Sequence, residues 1–108
     1  MLFFQPMARF ANRIKLAEHF FDHGADFGAA TEFDYLNLAI RFLTSVPPIG
    51  ATLECKRKRG DRIRFDPVTN EFGVLAGDGV TIRTYYKSNP ARHRMATNEE
   101  YFRRECSK

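Results

Sequence analysis

The chain has 108 residues, 44% hydrophobic and 28% charged, with 17 basic against 13 acidic side chains and a net charge of +4. That composition excludes a disordered chain, and no apolar run is long enough to span a bilayer. The mild basic excess admits an anionic partner such as RNA without requiring one. The opening stretch 1-MLFFQPMARFANR-13 does not read as a signal peptide, because its apolar run is short and is interrupted by Pro6, Arg9 and Arg13. The expectation is a cytoplasmic protein with one domain over 1–108.

Residues 8–24 read as an amphipathic helix with a stripe of Phe10, Ile14, Ala17 and Phe21, flanked by Leu16 and Phe20 and stopped at Gly24. A connector follows, and Thr31 then caps a second helix over 32–44, with Asp34 three residues on. Phe33, Leu36, Ala39, Ile40 and Leu43 form its main stripe, Tyr35, Leu38 and Phe42 a second one, and Val46-Pro47-Pro48 ends it. After Gly50 the period becomes alternating, giving strands over 51–58, 61–66, 70–76 and 80–87. The connections are short, and the last one, Gly77-Asp78-Gly79, carries the Asp-Gly hairpin signal. Gly73 inside the third strand marks a bulge or a close backbone approach. Residues 88–96 read as a loop, and Thr97 caps a short helix over 98–106. The predicted class is α+β: two N-terminal helices packed on a four-stranded antiparallel β-meander, with a short C-terminal helix.

Of the two cysteines, Cys55 reads as a small core residue, and a Cys55–Cys106 disulfide is disfavoured for a cytoplasmic chain. Neither belongs to a CxxC pair, and HExxH is absent. No metal and no cofactor are expected, although a His-xxx-His site completed by a third ligand such as His93 is conceivable.

Three groups of residues can carry chemistry. In 19-HFFDH-23, His19 and His23 lie four residues apart on one helix face, with Lys15 extending the row. On a helical projection the Phe10 stripe points away from His19, while His23 sits at its boundary beside Leu16 and Phe20. A half-shielded histidine near a helix end suits proton transfer; the bland alternative is a solvated helix face. Next, Arg62 and Arg64 alternate with Ile63 and Phe65, and Arg83 and Lys87 with Ile82, Thr84 and Tyr86. One sheet face would then pack on the helices and the other carry cations. Exposed charge on an open sheet is ordinary, but the excess of one sign suggests phosphate binding, diluted by Glu54 and Glu71. Last, Thr84 and Tyr86 point the same way from one strand. Tyr86 can stack on an unpaired base, and Thr84 with Arg83 can bond a phosphate oxygen; a strand end reaching solvent is the alternative.

The segments 19-HFFDHGADFGA-29, 61-DRIRFDPVTNEFGVLAGDGVTIRTYYK-87 and 97-TNEEYFRREC-106, roughly half the chain, resemble the barnase–EndoU–colicin–RelE-like ribonuclease superfamily. Within it the pattern is similar to the small tRNA-cleaving toxin domains of bacterial competition and contact-dependent inhibition systems. The resemblance implies metal-independent RNA cleavage by 2′-OH attack, leaving a 2′,3′-cyclic phosphate, and a cognate immunity or antitoxin protein as partner. It implies His23 or His19 as general acid/base, Arg83 and Thr84 as transition-state contacts, and Tyr86 as a stacking or orienting residue. Lys87, Lys15, Arg62 and Arg64 would contact RNA. The competing expectations are a non-catalytic RNA-binding or regulatory module using the same basic face, and a structural protein with an aromatic contact surface. A membrane partner is not expected.

Overall fold

The computed structural model describes residues 7–108, so the first six positions of the opening stretch and of the 1–108 domain lie outside the described residues. The fold is α+β, with four α-helices and a five-stranded mixed sheet among those residues. The strands are β1 (Arg9–Phe10), β2 (Leu53–Lys56), β3 (Arg62–Phe65), β4 (Glu71–Leu75) and β5 (Thr81–Lys87). The helices are α1 (Arg13–His23), α2 (Glu32–Thr44), α3 (Pro90–His93) and α4 (Asn98–Cys106).

The expected antiparallel meander is present as β2 to β5, but the sheet order β1-β5-β4-β3-β2 adds a strand that sequence periodicity did not show. Residues 9 and 10, expected inside a helix, run parallel to Thr81 and Ile82. The cause is local. The Asn12 side chain accepts a bond from Lys15 N–H (2.9 Å), so the helix starts only at Arg13. Arg9 N–H instead donates to Val80 C=O at 2.7 Å.

Placing Phe10 in a strand dissolves the stripe it was to begin. Ile14 is 69% exposed and Phe21 88%. The inward face of α1 is Leu16 and Phe20, which pack on the core, with the His19 ring 4.9 Å from that of Phe10. The helix does not end outright at Gly24. It tightens into a 3-10 turn over Gly24–Phe27 that closes at Gly28 (φ +66°). Gly24 is required for another reason: a Cβ there would stand 2.6 Å from the Phe20 ring.

Helix α2 has the predicted bounds and the predicted Thr31 cap, whose hydroxyl accepts from Asp34 N–H. Its buried residues are Tyr35, Ala39, Phe42 and Leu43, so the core takes residues from both predicted stripes, while Phe33 is 68% exposed. Gly73 lets α2 come close, since a Cβ there would lie 2.9 Å from Leu43.

Both sheet faces are apolar, which corrects the expected division into one packed and one cationic face. On one side Ile82, Tyr85 and Leu75 join Tyr35, Ala39, Phe42 and Leu43 of α2. On the other, Ile63, Phe65, Phe72 and Val74 pack under Phe102 of α4. Arg64, expected among the cations, is 3% exposed. Its Nη1 donates to Phe42 C=O and Ser45 C=O at 3.0 and 2.8 Å, and its Nε pairs with Glu54. These bonds satisfy carbonyls at the end of α2 that the helix leaves unpaired.

The two cysteines, expected reduced, form a disulfide between β2 and the end of α4, with Cα atoms 6.0 Å apart. The covalent loop spans 51 residues. A constraint of that length removes unfolded-state entropy equivalent to about 4 kcal/mol of stability. Among the described residues no helix is long and apolar enough to cross a membrane.

Candidate functional site

A β-bulge shapes the site. Val74 opposes Thr84, but Leu75 opposes Ile82, so Arg83 is the extra residue in β5. The bulge resets the alternation. Ile82 and Tyr85 both face α2, whereas Thr84 and Tyr86 face the α4 side, where the Tyr86 ring lies 5.2 Å from Phe72. The single face expected for Ile82, Thr84 and Tyr86 is therefore split. Because β1 covers only Thr81 and Ile82, no strand pairs beside residues 83–87 on that edge among the described residues, and the C-terminal end of α1 reaches past it.

The result is an open cleft of about 380 Å3, lined by His23, Thr84, Tyr86, Lys87, Arg92 and Tyr101, together with Asn89, His93 and Arg104. The His23 ring is 5.4 Å from that of Tyr86. Its Nδ1 is buried without a hydrogen-bond partner, and the residue lines the cleft. Burial is the main cause holding the His23 pKa below 6.5; Asp22 and Asp26 oppose it and Arg92 adds to it. His23 is therefore mainly neutral at pH 7 and able to take a proton.

His93 also lines the cleft but is differently committed. Its Nδ1 accepts from Met95 N–H (3.1 Å), so its Nε2–H is the donor to Asn98 Oδ1 (2.8 Å). Its ring stacks on Tyr101 at 4.4 Å, and the Tyr101 and Tyr86 hydroxyls bond each other. This chain of contacts fixes the aromatic floor. Burial and the Tyr101 bond push the Tyr86 phenol well up, so it stays protonated.

Of the residues singled out in the sequence, the structure brings His23, Thr84, Tyr86 and Lys87 together. Lys87 Nζ lies 5.8 Å from the centre of the Phe27 ring. His19 lies one turn back, against Phe10, its pKa lowered by burial and then by His23. Arg83 pairs with Asp61 at 3.0 Å and lines a separate cavity with Arg57 and Arg59. Lys15 is exposed beside Glu18. Arg62 stands opposite Lys56 and Leu75 in the sheet, and Arg64 is buried under α2. Arg92, Tyr101 and Arg104 carry no expectation from the sequence, and His93 carries one only as a metal ligand. The signal for Arg92 and His93 was Asn89-Pro90, a cap followed by proline at the first helical position. Among the described residues no three His, Cys, Asp or Glu side chains converge to hold a metal.

No protein-family model matches the chain, and no curated protein sequence does. Among solved structures it is similar to a ribonuclease from Escherichia coli complexed with its inhibitor protein, with a TM-score of 0.57 and 19% identity, over 82% of this chain and 95% of that one. At that identity the likeness is one of fold: the chain shares the α+β fold of a bacterial ribonuclease that was solved with a protein inhibitor.

Proposed function

We propose that the protein is a metal-independent endoribonuclease toxin that cleaves tRNA in the cytoplasm and is held in check by a cognate immunity protein. The observation that carries this reading is the convergence of His23 with Thr84, Tyr86 and Lys87 in one open cleft, on a fold shared with a ribonuclease. Neutral His23 takes the ribose 2′-OH proton, and O2′ attacks the adjacent phosphorus. The P–O5′ bond breaks, O5′ takes a proton from solvent in the open cleft, and a 2′,3′-cyclic phosphate remains. Lys87 and Arg92 offset the charge growing on the phosphoryl oxygens, and Thr84 donates a hydrogen bond to them. Arg83, tied to Asp61, is left outside this set. Tyr86 and Tyr101 form the surface on which a base can stack. The inhibitor bound to the similar ribonuclease supports a protein partner of the same kind.

The test is to incubate purified protein with total tRNA in EDTA and map the fragment ends. Cleavage leaving 2′,3′-cyclic ends is expected, and His23→Ala should slow it on the order of 10²-fold or more. Salt-sensitive RNA binding with no cleavage would sink the enzymatic reading in favour of a binding module. Unchanged cleavage by the variant would sink the assignment of His23.

A further inference from the structure

Beside the cleft lies a second cavity of about 390 Å3 to which nothing above gives a role. Lys87, Asn89 and Arg92 line both, so the two adjoin across these side chains. Their chemistry differs. The cleft has aromatic rings from Tyr86, His93 and Tyr101; the second cavity has none, and besides the shared residues and Pro90 it is lined by Asp26, Thr69, Asn70, Ser88 and Asn98.

Several of its polar groups are fixed in orientation. Asn98 uses Oδ1 to accept from His93 and Nδ2 to donate to Asn70 Oδ1 at 3.1 Å. That leaves the Asn70 Nδ2 as a donor. Asn89 Oδ1 accepts from Ala91 N–H at 2.9 Å, which leaves its Nδ2 as a second donor. Asp26 offers acceptor oxygens only. Ser88 is 4% exposed, and its buried hydroxyl has no partner. A buried, unsatisfied hydroxyl carries a desolvation cost that a ligand or a water can relieve. Fixed donors, an acceptor, an orphaned hydroxyl and two cations at the junction suit a flat polar heterocycle attached to a phosphate.

We infer that this cavity reads the edge of the nucleobase flanking the scissile phosphate. The inference rests on the ribonuclease reading for its substrate class and adds where sequence preference comes from. Stacking in the cleft tolerates any base, because every base has a π-face. Hydrogen bonds from Asn70 and Asn89 and to Asp26 discriminate, because a mismatched edge leaves these groups unpaired.

The experiment has two arms. In the first, a random-sequence RNA pool is cleaved and the ends are sequenced. The wild-type protein should favour one base at one position next to the cut, and Asp26→Asn and Asn70→Gly should each reduce that preference roughly tenfold. Glycine keeps the backbone at position 70, where φ is +66°. Asp26→Asn also alters the surroundings of His23, but that change multiplies all substrates alike and cancels in the ratio between bases. In the second arm, the four nucleoside 3′-monophosphates are titrated against His23→Ala, following side-chain amide resonances by NMR. One nucleotide should bind most tightly and shift the Asn70 and Asn89 amides. Discriminating binding without wild-type cleavage would uphold the base site while removing the enzymatic reading. Cleavage whose end preference is unmoved in both variants, or titrations in which all four nucleotides behave alike, would overturn the base site.

Discussion

On the α2 face, β5 contributes Ile82 and Tyr85, and both are buried; on the α4 face the same strand contributes Thr84 and Tyr86, and both are half-buried. Tyr85 stacks on Phe27 at 4.3 Å, lies among Tyr35 and Phe42, and donates its hydroxyl to Glu71. Burial and that bond push its phenol far up. Across the sheet, α4 packs on β3 and β4 through Phe102 and meets β5 at Tyr101, whose hydroxyl bonds that of Tyr86. Strand β5 thus gives Tyr85 to the core on one face and leaves Tyr86 lining a cleft on the other. The contrast is made by one inserted residue, since without the bulge at Arg83 the alternation would place Thr84 on the same side as Ile82.

Substitutions on adjacent residues of β5 test the contrast most directly. Tyr85→Ala should cost about 3–5 kcal/mol, the range for emptying a buried aromatic site. Urea denaturation checks it, and a loss under about 1 kcal/mol would mean that the α2 face does not carry the fold. Removing the crosslink with Cys55→Ser and Cys106→Ser together should cost about 2–4 kcal/mol in the same assay, and should also weaken the proposed RNA cleavage, because α4 supplies Tyr101 and Arg104 to the cleft. Thr84→Val should leave stability within about 0.5 kcal/mol, while cleavage falls on the order of 10²-fold through loss of a phosphoryl donor. A Thr84→Val protein that unfolds would erase the distinction between the faces.

The smallest effect is on pH dependence. His23 has a folded pKa below its ordinary 6.5, so the acidic limb of the rate profile should fall below pH 6.5. Removing the Arg92 charge with Arg92→Gln takes away a cause that lowers this pKa, so the limb should move to higher pH. Stability follows the same sign. Between the folded pKa and 6.5 the unfolded chain holds more protons, so His23 destabilises the fold as pH drops through that window and adds no such penalty above it. A limb that stays put in Arg92→Gln would show that Arg92 does not act on His23.

Local signals carried much of the fold. Thr31 and Thr97 cap α2 and α4 as expected, the first from its spacing to Asp34. The Asp78 carboxylate, held down to about 2 by bonds from the Thr81 hydroxyl and the Thr81 and Val80 amides, anchors the predicted hairpin. What stayed hidden depends on partners distant in sequence. Two residues of β1 are too few to show a period. The phase of α1 follows from Phe10 pairing with Ile82, 72 positions on. The bulge has no local mark, so the faces of Thr84 and Arg83 were unreadable. The disulfide joins cysteines 51 residues apart, a separation that carries no local clue to proximity. Within the cleft, His23, Thr84, Tyr86 and Lys87 were legible as chemistry-bearing types; their meeting was not, because it needs α1 to run past the uncovered edge of β5.

The bond between Cys55 and Cys106 closes a ring of chain. Thr84, Tyr86, Lys87, Arg92, His93, Tyr101 and Arg104 all lie inside that ring, and His23 lies outside it. The molecule is therefore a covalently closed receptacle with His23 on a separate arm. The arm is held by the packing of Leu16 and Phe20 and by β1 on β5, with no covalent tie across the cleft. Under the proposed mechanism, undocking α1 would remove His23 from the cleft while leaving the receptacle closed.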